Sequence, residues 1–147
     1  MATEIDRPAI TQAIRALTHG ETDTVSLMAT VACEIHQAHP FCDWTGFYRV
    51  TAPETLKIGP YQGGHGCLVI PFARGVCGAA ARTGEIQLVA DVEAFPGHIA
   101  CSSSTRSGIT GWVRMATWRT TSAVTYKTVF CLSGSILASA HGASPAK

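Results

Sequence analysis

The chain's six cysteines are the residues best suited to covalent chemistry. They are spread along most of its length, at Cys33, Cys42, Cys67, Cys77, Cys101 and Cys131. A thiolate can act as a nucleophile, bind a metal ion or enter a disulfide. No two are spaced as Cys-x-x-Cys, and no pair of clusters has the spacing of a structural zinc site, so the pattern does not predict a metal centre. The alternative for each is a buried thiol that packs as a small apolar side chain, above all for Cys33, Cys42 and Cys131.

The redox state of these thiols depends on where the protein resides. Residues 1–6 contain two acids and no following apolar run, so we expect no secretory signal, a cytoplasmic location and reduced thiols. No stretch reaches the roughly 18 strongly apolar residues of a membrane helix. A net charge of +1 offers no electrostatic footprint for nucleic acid or an anionic membrane, and we expect neither partner.

The elements that would position the cysteines form an α+β series. Hydrophobic spacing and punctuation by Pro and Gly predict helices over residues 8–17 and 22–36, the second capped by Thr22 or Thr24, and a short helix over 75–81. Strands are predicted over 44–50, 56–59, 67–72 and 86–89, with a loop after Asp91 leading to Cys101. The order favours an antiparallel sheet with helices packed on one face. A hydrophobic content of 46 % and a length of 147 residues fit one domain over 1–147.

Five sequence motifs follow one another at characteristic distances. They are Trp44-Thr-Gly-Phe-Tyr48, Ile58-Gly-Pro-Tyr-Gln-Gly63, Cys67-Leu-Val-Ile-Pro-Phe72, Arg74-Gly-Val-Cys-Gly78 and Asp91-Val-Glu-Ala-Phe-Pro-Gly-His-Ile-Ala-Cys101. In this register they resemble the free methionine-(R)-sulfoxide reductases, over about residues 8–107. The resemblance implies a GAF-like fold and reduction of free methionine-(R)-sulfoxide without a cofactor.

The resemblance also implies a role for three cysteines. Cys101 matches the nucleophile, which becomes a sulfenic acid as methionine leaves, and Cys67 matches the resolving thiol, which condenses with it to a disulfide. Cys77 matches an auxiliary thiol, and a thioredoxin-like dithiol would reopen the disulfide. Locally, Cys77 follows Arg74 at a predicted helix start and Cys101 follows His98, settings that suit reactive thiols.

Aromatic side chains on the predicted strands are candidates for a substrate pocket. Trp44, Phe47, Tyr48 and Tyr61 could form its apolar walls, and Trp44 and Tyr61 are the preferred pair. The alternative is that they belong to the core. His65 and His98 are interpreted as solvated loop residues, and we expect no metal site.

The C-terminal segment, residues 102–147, departs from the rest of the chain. All ten acids lie before residue 94, whereas nine serines and seven threonines fall in this segment. The reductase family continues after its nucleophile with Ser-x-Ser-Glu and ends in an Asp-Ile-Asp motif, and its acids there hold the sulfoxide oxygen and the substrate amine. Here Ser104 and Ser107 lead to Gly108, and no acid follows. One strand is still predicted in the segment, since Val124, Tyr126, Phe130 and Leu132 share a face at period two.

Three functional hypotheses remain open from the sequence. The first is a reductase of free methionine-(R)-sulfoxide. The second is a non-catalytic GAF module that binds a small molecule or senses redox state. The third is a defective product of a reductase gene that lacks the C-terminal acids.

Overall fold

A six-stranded antiparallel sheet with three helices forms the described part of the molecule. The computed structural model describes residues 5–39, 42–89, 92, 94–99, 109–119 and 125–135, with side chains described as far as residue 99. The elements are α1 (Arg7–Leu17), α2 (Thr24–Ala38), β1 (Cys42–Ala52), β2 (Thr55–Gly63), β3 (Val69–Pro71), α3 (Gly75–Thr83), β4 (Gln87–Val89), β5 (Ile109–Arg119) and β6 (Thr125–Ser135). The strand order is β3-β2-β1-β6-β5-β4, and each described pairing is antiparallel. The predicted α+β class is confirmed.

Aspartates cap the two N-terminal helices. Asp6 accepts a 2.9 Å hydrogen bond from the Ala9 amide at the start of α1. Asp23 accepts a 2.7 Å bond from the Ser26 amide at the start of α2. Neither predicted threonine caps α2: Asp23 lies between Thr22 and Thr24, and its carboxylate satisfies an amide that the first turn leaves unpaired. None of the helices in the described ranges has the length and apolar character needed to cross a lipid bilayer.

The central strand β1 separates two apolar clusters. Trp44 and Tyr48 face α3, where they join Val76 and other side chains in the larger cluster. Phe47, of opposite parity, packs with Met28 and Ala32 of α2. Helix α2 packs against β1 and β2, and α1 packs against α2, so both N-terminal helices lie on one side of the sheet, as predicted for them. The short helix α3 covers the other face, and the site is built there.

The C-terminal segment supplies two strands to the middle of the sheet. Strand β6 pairs with β1, for example Tyr48 with Val129, and β5 pairs with β6 and β4. The sequence predicts one strand, of which Val124 lies outside the described residues, and it misses β5. Strand β5 contains glycine and two arginines, so apolar and polar residues alternate only weakly along it. Its backbone groups still pair with β4 on one side and β6 on the other.

Candidate active site

Two of the three predicted redox cysteines contact the same apolar cluster. Cys77, in the first turn of α3, is 8 % exposed and belongs to the cluster between α3 and the sheet. Cys67, just before β3, is half-buried against the same cluster and is disulfide-bonded. Cys33, Cys42 and Cys77 are not in disulfides. Cys101, the predicted nucleophile, lies outside the described residues.

The chain that leads toward Cys101 is anchored over the start of α3. The amide of Gly75 donates a 2.9 Å hydrogen bond to the carbonyl of Gly97. Gly75 has a φ of +67°, a left-handed conformation that favours glycine. Three apolar residues of the loop pack against the cluster that contains Cys77: Val92, Phe95 and Ile99. Ile99, two residues before Cys101 in the sequence, is therefore in contact with the cluster that both cysteines share.

Trp44 lies between two tyrosines on the α3 side of the sheet. Its ring stacks on Tyr48 with centroids 5.6 Å apart and on Tyr61 with centroids 5.4 Å apart. The indole is 3 % exposed. Gly46 makes this arrangement possible, because a Cβ there would lie 2.7 Å from the edge of the Trp44 ring and would collide with Tyr61. The predicted pair Trp44 and Tyr61 is thus brought into contact.

The indole nitrogen of Trp44 is buried and has no hydrogen-bond partner among the described residues. A buried donor without an acceptor costs about 1–3 kcal/mol. Gly66 lies next to it: a Cβ at Gly66 would be 3.2 Å from Trp44 Nε1 and 3.0 Å from Tyr48 Oη. Because Gly66 carries no side chain, this end of the aromatic stack faces backbone, one residue before Cys67.

The other sequence candidates are placed differently. Phe47 does not line the α3 side, because it lies one residue out of phase with Trp44 and Tyr48 on a strand with period two. His65 is exposed and His98 is half-buried. Over the ranges whose side chains are described, no group of three or more His, Cys, Asp or Glu is arranged to hold a metal ion. Sequence reasoning missed the spacing roles of Gly46 and Gly66, although their positions beside aromatic and cysteine residues were a usable signal.

Cys42 illustrates a thiol without redox character. It is 7 % exposed at the start of β1, and burial together with the neighbouring Asp43 carboxylate raises its pKa to about 11. A thiol with a raised pKa is protonated near neutrality and is a poor nucleophile. This supports the interpretation of Cys42 as a packing residue.

The fold and the site can be compared with those of known proteins. No protein-family model matches the chain. It is 38 % identical over 94 residues to the free methionine-R-sulfoxide reductase of Escherichia coli, an alignment that covers 64 % of this chain and 56 % of that one. It is 33 % identical, with a TM-score of 0.70, to the X-ray structure of free methionine-R-sulfoxide reductase from Neisseria meningitidis in complex with its substrate, over 85 % of this chain and 71 % of that one. A putative GAF sensor protein from Burkholderia vietnamiensis is 30 % identical with a TM-score of 0.74, over 86 % and 76 % of the two chains.

The alignments cover only part of each curated relative. The chain spans between 38 % and 66 % of the length of the curated relatives it matches. The likeness to the structure from Neisseria meningitidis covers more than two thirds of both chains. Its TM-score of 0.70 shows that the two chains share the fold described above. The chain has a GAF fold and belongs to the free methionine-R-sulfoxide reductase family.

Proposed function

We propose that this chain reduces free methionine-(R)-sulfoxide to methionine, with Cys101 as nucleophile and Cys67 as resolving thiol. The observation that carries the proposal is the position of Cys67: it is disulfide-bonded and packs against the cluster that contains Trp44. A sulfur atom thus adjoins an aromatic stack whose indole N–H has no acceptor among the described residues, in a family whose members from Escherichia coli and Neisseria meningitidis are named as these reductases.

The reaction proceeds in three balanced steps. The Cys101 thiolate attacks the sulfoxide sulfur, the oxygen is protonated and transferred, and methionine leaves with Cys101 as a sulfenic acid. The Cys67 thiol then attacks the sulfenic sulfur, and a disulfide forms with loss of water. A thioredoxin-like dithiol reduces this disulfide by thiol exchange and becomes oxidised itself. Cys77, which belongs to the same cluster, is proposed as an auxiliary thiol.

Two features support Cys101 as the disulfide partner of Cys67. Three other cysteines, Cys33, Cys42 and Cys77, are not in disulfides. Ile99 packs against the cluster that Cys67 also contacts. Two residues of extended chain span at most about 7 Å, so Cys101 remains within reach of that cluster.

The aromatic stack is proposed as the substrate pocket. The Trp44 indole N–H, which has no partner within the described ranges, donates to the sulfoxide oxygen, which is a strong acceptor. The rings of Trp44 and Tyr61 contact the thioether end of the substrate, where sulfur and aromatic surfaces attract one another. Binding therefore relieves the cost of the buried donor and orients the sulfur toward the cysteines.

The acid that protonates the sulfoxide oxygen is not accounted for by the described residues. The Trp44 N–H can polarise that oxygen but does not transfer a proton. No Asp or Glu occurs after Glu93, and Asp91 and Glu93 lie outside the described residues. A positioned general acid contributes about 10²–10⁴-fold to a rate. We therefore propose that one round of thiol oxidation by the sulfoxide still takes place. Repeated turnover should be about 10²–10⁴-fold slower than in a reductase that keeps the acid.

Disulfide mapping tests the proposal. Treatment of the reduced protein with free methionine-(R)-sulfoxide, followed by alkylation and peptide mass spectrometry, is expected to reveal a Cys67–Cys101 disulfide and one equivalent of methionine. Cys67→Ser should stop at the Cys101 sulfenic acid, whereas Cys33→Ser should behave as the unmodified protein. If Cys67→Ser gave the same oxidised species as the unmodified protein, Cys67 would not be the resolving thiol.

A chimera that carries a family-type ending after residue 101 tests the role of the missing acid. It should turn over about 10²–10⁴-fold faster than the unmodified chain, and equal turnover would show that the acid has been misplaced.

A redox-sensing GAF module is the second candidate, and the absence of acids after Glu93 favours it. Such a module would form the Cys67 disulfide with peroxide but would release no methionine from the sulfoxide. A defective reductase product would do neither at a useful rate. The same experiment separates the three, because it measures methionine release and disulfide formation independently. Recycling by a cellular dithiol is consistent with a cytoplasmic location, which remains a prediction.

A further inference from the structure

Among the strands that the structure describes, β3 lies at an edge of the sheet, and it begins two residues after Cys67. It is the terminal strand in the order β3-β2-β1-β6-β5-β4 and pairs on one side only, with β2. Its inward bonds fall on alternate residues: the Leu68 carbonyl accepts from the Ile58 amide at 3.1 Å, and the Phe72 amide donates to the Glu54 carbonyl at 2.9 Å. The backbone amide and carbonyl of Val69 therefore point outward, away from β2.

The same edge exposes apolar side chains. Leu68, just before β3, is 73 % exposed, and Val69, the first residue of the strand, is 51 % exposed. A partner that adds an extended segment to this edge would bond the outward backbone groups of Val69 and cover both side chains. Exposed apolar residues also lie on the opposite edge of the sheet, where Leu88 of β4 is 58 % exposed. What distinguishes the β3 edge is that Leu68 directly follows the disulfide-bonded Cys67.

We propose that the edge formed by Leu68 and Val69 is the docking surface for a dithiol protein that reduces the Cys67 disulfide. The inference rests on the proposed function, because it takes this disulfide to be the species that must be reopened in each cycle. A small thiol needs no apolar contact to reach an accessible disulfide, whereas a protein reductant must be held with its thiolate in line with the sulfur–sulfur bond.

The exchange is balanced in two steps. A thiolate of the docked partner attacks the Cys67 sulfur, the disulfide of Cys67 breaks, and its other cysteine leaves as a thiolate. The second thiol of the partner then attacks the mixed disulfide, so that Cys67 is released reduced and the partner becomes oxidised. Attack on Cys67, which adjoins the docking edge, directly returns the other cysteine in its nucleophilic form.

The test starts from the preformed Cys67 disulfide and needs no sulfoxide. Oxidised protein is mixed with reduced thioredoxin or with dithiothreitol, and the release of the Cys67 thiol is followed by acid quench and alkylation. Leu68→Asp and the smaller change Leu68→Ser should slow reduction by thioredoxin about 10-fold, the effect of losing one well-placed apolar contact. Reduction by dithiothreitol should stay within about twofold of the unmodified protein. Leu68→Met should retain the thioredoxin rate.

Leu88→Asp, at the opposite edge, is the matched control and should leave both rates unchanged. The docking proposal is overturned if the Leu68 variants and Leu88→Asp react equally with thioredoxin. It is also overturned if the Leu68 variants slow dithiothreitol to the same extent, since the loss would then be local damage to the disulfide. Failure of the proposed function would appear separately, as no methionine released from the sulfoxide.

Discussion

Replacing Trp44 with phenylalanine separates a binding role of the indole from a packing role. The variant keeps an aromatic ring between Tyr48 and Tyr61 but removes the buried N–H, for which the described residues supply no acceptor. Truncation of a buried tryptophan to alanine costs about 3–5 kcal/mol. Loss of an unsatisfied buried donor returns about 1–3 kcal/mol. Phenylalanine keeps a six-membered ring in place of the indole, so Trp44→Phe costs less packing energy than the change to alanine. The two effects oppose one another, so we expect Trp44→Phe to change the free energy of unfolding by no more than about 2 kcal/mol.

The effect on ligand affinity should be larger and specific to the sulfoxide oxygen. Loss of one hydrogen bond to a buried donor corresponds to about 1–2 kcal/mol, or about 5–30-fold in Kd. The assay is calorimetric titration of Trp44→Phe in a Cys101→Ser background, which prevents the reaction. Free methionine is the control ligand, because it lacks the oxygen and should bind both proteins alike.

Phe47→Leu is the matched control variant. Phe47 lies on the same strand but packs with Met28 and Ala32 on the opposite side of the sheet. It should lower the free energy of unfolding by about 1–2 kcal/mol and leave both affinities unchanged. If Trp44→Phe weakened sulfoxide and methionine equally, the indole would be a packing residue and the pocket assignment would be refuted.

Three further predictions concern the spacing glycine, a buried thiol and a helix cap. Gly46→Ala should destabilise the fold by about 1–3 kcal/mol in urea unfolding, because the added methyl group collides with the Cβ and Cα of Tyr61, which cannot move aside as the end of a side chain can. Gly84→Ala meets nothing within 4 Å and should lose only the energy of placing alanine in a left-handed conformation. Cys42 ionises in the unfolded chain near pH 9 but in the folded chain near 11, so stability should fall as pH rises between these values, and Cys42→Ala should flatten that fall. The hydrogen bonds from Ser26 hold the pKa of Asp23 below its usual value, so its stabilising effect should be present at neutral pH and be lost as pH falls through the folded pKa; Asp23→Ala should flatten the acid limb of the thermal unfolding midpoint. Stability unchanged by Gly46→Ala, or pH profiles unaffected by the last two variants, would contradict each argument in turn.

Local sequence signals predicted much of the backbone. Helices α1, α2 and α3 begin and end within a few residues of their predicted bounds, because caps, Pro and Gly act within one or two turns. The strand at Leu56 extends to Gly63, further than predicted, because pairing with β1 continues past Pro60. Strand β5 was missed, because it forms through backbone pairing with β4 and β6, whereas its own residues show no clear strand pattern.

At the candidate site, too, the sequence predicted local features and the fold decided which residues meet. The motif order around Cys67, Cys77 and Cys101 identified the family without any structure, because it records residue types and spacings along the chain. Which aromatic residues share a pocket depends on β1 lying between α2 and α3, a relation that joins elements far apart in sequence.

The sequence by itself predicted the three helices and most of the strands and identified the family, since each depends on neighbouring residues; the roles of the three cysteines stay predictions. The tertiary structure alone decided that Trp44 and Phe47 face opposite sides of the sheet. It also decided that the buried Trp44 indole meets no acceptor in the part of the chain that the structure describes, and that Leu68 lies exposed next to the edge strand β3, beside Cys67. Burial and unpaired hydrogen-bonding groups are properties of packed surfaces, and they exist only after distant segments come together.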